Sequence, residues 1–86
     1  MGRQSSFDED ISDRIRTAKL LDLYGKLLTD NQLNVMTHYY FDNLSLAEIA
    51  QNLSVSRQAV YDHIKKSKVL LNKYEDKLNF MERFGV

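Results

Sequence analysis

The chain has 86 residues, enough for one small domain that buries roughly 60% of its unfolded surface. It has no cysteine, which excludes disulfides, thiolate metal sites and thiol catalysis. With no proline and three glycines, an all-α chain is the default. Twelve Lys and Arg residues balance twelve Asp and Glu, which argues against the broad footprint of a strongly basic nucleic-acid binder, and the longest apolar runs are too short to span a membrane.

Residues 1–11 read as a disordered leader, polar and acidic through Asp8, Glu9 and Asp10, with a single Phe7. Its Met1-Gly2 start formally fits an N-myristoylation pattern, but nothing else in the chain points to a membrane. A first helix is expected over about 12–28, capped by Ser12. Ile15, Ala18, Leu21 and Leu28 lie on or near one face of it, and Leu20, Leu23, Tyr24 and Leu27 widen that face. A face so broad implies burial on two sides, against the domain and a second subunit. Gly25 within the helix costs up to about 1 kcal/mol relative to Ala, and a close helix crossing is the expected compensation. Thr29 caps a second helix, with Asp30 in its first turn, where the helix dipole favours a negative charge. Leu33, Met36 and Tyr40 form its core stripe, with Val35, Tyr39 and Phe41 as further apolar surface, and Asp42-Asn43 ends it.

Residues 44–66 carry the strongest pattern, two short helices around a tight turn. Ser45 and Glu48 form a capping box, and Leu46, Ile49, Ala50 and Leu53 give the following helix one apolar face. Asn52-Leu53-Ser54 breaks the pattern, and Val55 is expected to plug the corner. Ser56 then caps a recognition helix whose Ala59, Val60 and Ile64 face inward.

No breaker follows until Gly85, so the recognition helix continues, or restarts near Ser67, into a C-terminal helix over 67–83. Val60, Ile64, Ser67, Leu71, Tyr74, Leu78 and Met81 recur in steps of four and three, a coiled-coil-like seam with one polar gap. Phe80 and Phe84 lie beside it. The seam serves packing on the first helix or, through Leu71, Tyr74, Leu78 and Met81, a homodimer; the two are not exclusive.

A catalytic reading fails: there is no Gly-rich phosphate loop, no Ser/His/Asp arrangement and no defensible carboxylate pair. His38 and His63 do not make a metal site, and no cofactor is implied. The nucleic-acid reading rests on the outer face of the recognition helix. Arg57 can reach guanine or hold phosphate, Gln58 can read adenine, and Tyr61 can touch phosphate or a methyl group. Ser56 has a hydroxyl where backbone N–H groups already favour an anion. Lys65, Lys66 and Lys68 add phosphate attraction that is independent of sequence. Asp62 runs against this reading unless it accepts from cytosine or pairs with Lys66 four residues on. The alternative is a protein or RNA adaptor that uses the same face.

From Leu28 to Lys68 the chain resembles region 4 of bacterial sigma factors, in Leu-Thr-Asp-Asn-Gln, in Tyr-Tyr-Phe-Asp-Asn-Leu-Ser-Leu-Ala-Glu-Ile-Ala and in Val-Ser-Arg-Gln-Ala-Val-Tyr-Asp. Over about residues 14–81, through Tyr24, Leu27 to Asp30, Gln32, Tyr39-Tyr40, Ser45 to Ala50, Val55 to Asp62, Ile64, Lys65 and the tail from Lys73-Tyr74-Glu75 to Leu78, it resembles the YlxM family of Gram-positive bacteria and their relatives. That resemblance implies a cytoplasmic helix-turn-helix DNA-binding protein. Because genes of the family accompany those of the signal recognition particle GTPases, it also implies a regulatory part in that secretion pathway, an associational warrant. Ser54 stands where helix-turn-helix turns often carry Gly, so it must accept the backbone strain of the turn. Thr29 replaces a proline common in sigma factors, and the chain ends at Val86 where relatives usually continue in a further helical segment. The expectation is therefore an all-α domain of four or five helices that binds duplex DNA weakly or as a homodimer, with a signal recognition particle component as a further partner.

Overall fold

A computed structural model of the chain describes residues 9–85. The expected disorder and acylation pattern of residues 1–8 lie outside the described residues. Every regular element among the described residues is a helix: α1 (Ile11–Tyr24), a 3-10 turn (Gly25–Leu27), α2 (Asp30–Tyr40), α3 (Leu46–Leu53), α4 (Arg57–Leu78) and α5 (Phe80–Phe84). None of them is long and apolar enough to cross a membrane. The all-α class and the helix-turn-helix are as expected.

Side-chain caps set most of the helix starts. Thr29 Oγ1 accepts from the Gln32 amide at 3.2 Å while Gln32 Oε1 accepts from the Thr29 amide at 3.1 Å. The same reciprocal box closes α3, with Ser45 Oγ accepting from Glu48 N–H and Glu48 Oε1 from Ser45 N–H. Ser56 Oγ accepts from the Ala59 amide at 3.0 Å and starts α4. Each cap satisfies amides that the first helical turn leaves without partners.

Helix α1 starts and ends earlier than expected. Asp10 rather than Ser12 caps it, accepting from the Asp13 amide at 2.8 Å, so residues 9 and 10, expected in the leader, belong to the folded domain. The helix tightens at Tyr24 into the 3-10 turn, in which Gly25 is buried. A Cβ there would sit 3.1 Å from Leu33 Cδ1 and 3.3 Å from Leu21 Cδ1, so the glycine marks the close α1–α2 approach foreseen for it.

The core lies around α4, against which α1, α2 and α3 all pack. Leu20, Tyr24, Val35, Met36, Ile49, Val60, Ile64 and Leu71 are its fully buried members. Ser67, the polar gap in the seam, is buried as well; its hydroxyl donates to the His63 carbonyl at 2.7 Å, which lets it lie in an apolar layer. Helix α4, the expected recognition helix, runs through Ser67 without a restart. It stops at Leu78 instead of continuing to residue 83, because Asn79 takes a left-handed conformation at φ 56°. Asn adopts that conformation more readily than most residues.

The seam packs within the chain at Leu71. Leu71 is 0% exposed and belongs to the core, with Tyr74 and Met81 packed against it. That takes Leu71 out of reach of a second subunit, while Tyr74 and Met81 are partly buried and Leu78 is 38% exposed.

A buried carboxylate fixes the fold-back at Asn79. Glu75 Oε1 accepts from Tyr24 Oη at 2.6 Å and from the Met81 amide at 3.1 Å, and Glu75 Oε2 accepts from the Glu82 amide at 3.3 Å. The Tyr24 hydroxyl in turn accepts from the Phe80 amide at 3.2 Å. Glu75 thus supplies the N-terminal capping of α5, which has no side-chain cap of its own. The Tyr24 hydrogen bond, with help from both amides, holds the Glu75 carboxyl below its ordinary value against the opposing effect of burial. Burial first, and then Glu75, push the Tyr24 hydroxyl up.

Candidate nucleic-acid interface

The turn between α3 and α4 is closed by backbone. Ser54 sits in the left-handed region at φ 58°, and its amide reaches back to the carbonyls of Ala50 and Gln51. The Val55 amide donates to Ala50 O at 3.0 Å, so the last carbonyls of α3 are satisfied by its own outgoing chain. Val55 therefore does not plug the corner; it is 44% exposed, while Leu53 packs against the core.

Below this turn α4 is clamped on one side and open on the other. Val60 and Ile64 are buried, which fixes the rotation of the helix about its axis. That rotation places Gln58, Asp62 and Lys65 along an outward ridge, with Arg57 and Tyr61 on the flank toward α3 and Lys66 on the flank toward α2. Two grooves border the ridge. One, of about 410 Å³, is lined by Leu46, Arg57, Gln58 and Tyr61. The other, of about 500 Å³, runs past the start of α2 and is lined by Thr29, Asn31, Gln32, Ala59, Asp62, His63 and Lys66. A convex helix with depressions on both sides is the shape that enters a major groove while its neighbours meet the backbone.

Within the face, Lys65 Nζ lies over the Tyr61 ring, 5.3 Å from its centre, which holds a cation against the aromatic face. Gln58 Nε2 donates to Asp62 Oδ1 at 3.1 Å. The carboxylate that was expected to read cytosine or pair with Lys66 is thus engaged one turn back along its own helix. Ser56, whose hydroxyl oxygen accepts the capping bond, marks the N-terminal end of this ridge.

Lys68 departs from the expected set. Its ammonium donates to Glu9 Oε2 at 2.9 Å and stands 3.9 Å from Asp13 Oδ2. It faces the start of α1, not the outer ridge. Glu9, with a side chain only 4% exposed, also accepts from Tyr40 Oη at 2.8 Å and lies 4.0 Å from Arg14 Nη1. Burial, and then the Glu9 hydrogen bond, push the Tyr40 hydroxyl well above its ordinary value. Arg14 completes the cluster by donating to the Tyr39 carbonyl at 2.7 Å and lying over the Tyr39 and Tyr40 rings. The cationic part of the ridge is therefore Arg57, Lys65 and Lys66. Glu9 and Glu75 are the residues that sequence reasoning missed. Neither has a helical partner at a telling spacing, since each is recruited across the fold.

Comparison with known proteins shows the family of the sequence. The model of the UPF0122 family, described as "Putative helix-turn-helix protein, YlxM / p13 like", matches residues 11–86. A UPF0122 protein of Clostridium kluyveri is 60% identical over 72 residues, 84% of this chain and 65% of the relative. One from Malacoplasma penetrans is 51% identical over 74 residues, covering 86% and 69% of the two chains. One from Shouchella clausii is 50% identical over 70 residues, covering 81% and 64%. The chain thus spans a little under two thirds of the length of the first of these relatives.

Proposed function

The chain belongs to the UPF0122 family of YlxM/p13-like helix-turn-helix proteins, and from that premise we propose that it is a DNA-binding regulator. It would enter the major groove of duplex DNA with the first three turns of α4. One observation carries this reading. The inner side of α4 is locked into the core while Arg57, Gln58, Tyr61, Lys65 and Lys66 stand together on the other side, flanked by grooves. A recognition helix needs that rigidity, because base contacts depend on side chains held in register.

Charge supports modest affinity. Three cations on the ridge, facing one carboxylate, correspond to about three displaced phosphate counterions and a log-log salt slope of about −2.7 on random duplex DNA. Titrating the protein with random-sequence duplex DNA across a salt series tests this. A slope near that value is expected, and no binding at low salt overturns the reading. A role in the signal recognition particle pathway, which the family resemblance implies, is the regulatory setting we propose. The same titration with signal recognition particle RNA in place of DNA probes it directly.

A second reading, a protein or RNA adaptor, draws on Asp62 in the middle of the face and on the exposed apolar side chains of Leu27, Leu78, Phe80 and Phe84 at the far end of the molecule. Binding to the RNA with no binding to duplex DNA would favour it.

A further inference from the structure

Resting on the DNA-binding reading, we propose that Asp62 is a positioning residue that fixes the Gln58 amide for adenine. It does not itself read a base. The two side chains lie one turn apart on the outward ridge, both exposed, with Gln58 Nε2 donating to Asp62 Oδ1 at 3.1 Å. A carboxylate can only accept, so the amide has one bonded orientation, nitrogen toward Asp62. Turning the amide over would set Gln58 Oε1 against the carboxylate oxygens.

In the bonded orientation one N–H is used and Oε1 and the second N–H remain. That pair, one acceptor beside one donor, matches the adenine edge, where N6–H donates and N7 accepts. Guanine presents two acceptors, N7 and O6, and would meet Oε1 with an unfavourable acceptor. An amide without a fixed neighbour can turn to suit other bases, so the carboxylate converts an adaptable side chain into a selective one. Asp62 has a second effect of opposite sign. Its charge faces the phosphates and lowers affinity for every sequence alike. Selectivity and affinity should therefore move in opposite directions when it is removed.

The test is selection of bound sequences from random duplex DNA, with binding constants measured on the enriched sites, for the full chain and for Gln58→Ala, Asp62→Ala and Asp62→Glu. The unaltered protein is expected to enrich adenine at one position, and Gln58→Ala to lose that preference. A bidentate amide contact corresponds to roughly 5- to 150-fold discrimination. Asp62→Ala should bind random duplex DNA more tightly than the parent, yet lose about tenfold in adenine over guanine at the Gln58 position. Asp62→Glu, which retains the acceptor, should keep the preference. A purely electrostatic Asp62 would raise affinity and leave the base preference unmoved, and that result overturns the proposal. Duplex DNA binding without any adenine position sensitive to Gln58→Ala also overturns it, while leaving the proposed function standing. Failure of the parent protein to bind duplex DNA at low salt removes both.

Discussion

The two halves of α4 share one buried stripe but use their remaining surface in opposite ways. From Arg57 to Lys66 the side away from the core carries polar and charged side chains that face solvent and each other. From Ser67 to Leu78 the polar residue of consequence, Glu75, is drawn inside and spent on Tyr24 and the amides of α5. The same helix thus keeps an open polar edge, the proposed reading edge, at one end and an anchor at the other. The backbone of the open edge is held from the core side, through Val60 and Ile64, and by the anchor beyond Ser67.

The sharpest way to break this contrast is to damage the anchor. Leu71→Ala should cost about 2–5 kcal/mol of stability, read by urea denaturation. Leu71→Lys should unfold the chain instead of dissociating a dimer, and a folded Leu71→Lys monomer would return that residue to the surface. Glu75→Gln should have a smaller effect with a distinctive pH dependence. The amide keeps one acceptor for Tyr24 but turns donors toward the Glu82 amide, so the melting temperature should fall at neutral pH. Because the folded carboxyl lies below its ordinary value, its contribution is present above the unfolded value of about 4.3. It is lost as pH falls through the lower folded value. Melts at pH 7 and pH 3 should therefore show the gap between variant and parent narrowing in acid; a gap independent of pH would contradict a charged Glu75.

Changes at the proposed reading edge should leave the fold alone. Arg57→Ala should not move the urea midpoint, yet it should make the salt slope on duplex DNA shallower by about 0.9. An unchanged slope removes Arg57 from the interface. The smallest effect expected is at the turn. Ser54→Gly should stabilise by about 1 kcal/mol, since a non-glycine residue at positive φ carries that order of strain, and DNA affinity should stay the same.

What the sequence disclosed follows the same division. Short-range chemistry was legible. Thr29 with Gln32, Ser45 with Glu48, and Ser56 each bond a partner three residues away, so spacing alone predicts the starts of α2, α3 and α4. The start of α1 was displaced because Asp10 and Ser12 are both capping residues, and local pattern does not choose between them. The break at Asn79 was invisible, since Asn is tolerated inside helices. The conformation is held by Glu75 and Tyr24, and Tyr24 lies more than fifty residues back along the chain. Charge alone places Lys68 on the ridge, whereas Glu9, which bonds it, reads in the sequence as one more acidic residue of a leader. The ridge itself was legible in residue types, but the Gln58–Asp62 bond was not, because Lys66 was an equally well-spaced partner for Asp62.

The Glu9 cluster also has a bearing on the order in which the molecule is made. Its bond to Lys68 joins residues 59 positions apart, whereas the caps of α3 and α4 close over three. Loop closure grows costlier with separation, by about 0.6 kcal/mol for each doubling of length. On an emerging chain, the turn that presents α4 can therefore form from its own neighbourhood, while the clasp at Glu9 must wait until α4 has been synthesised. The clasp can close only after that turn. The contact of Glu75 with Tyr24 and the Glu82 amide needs residues made later still, so it forms only after the clasp's partners are in place.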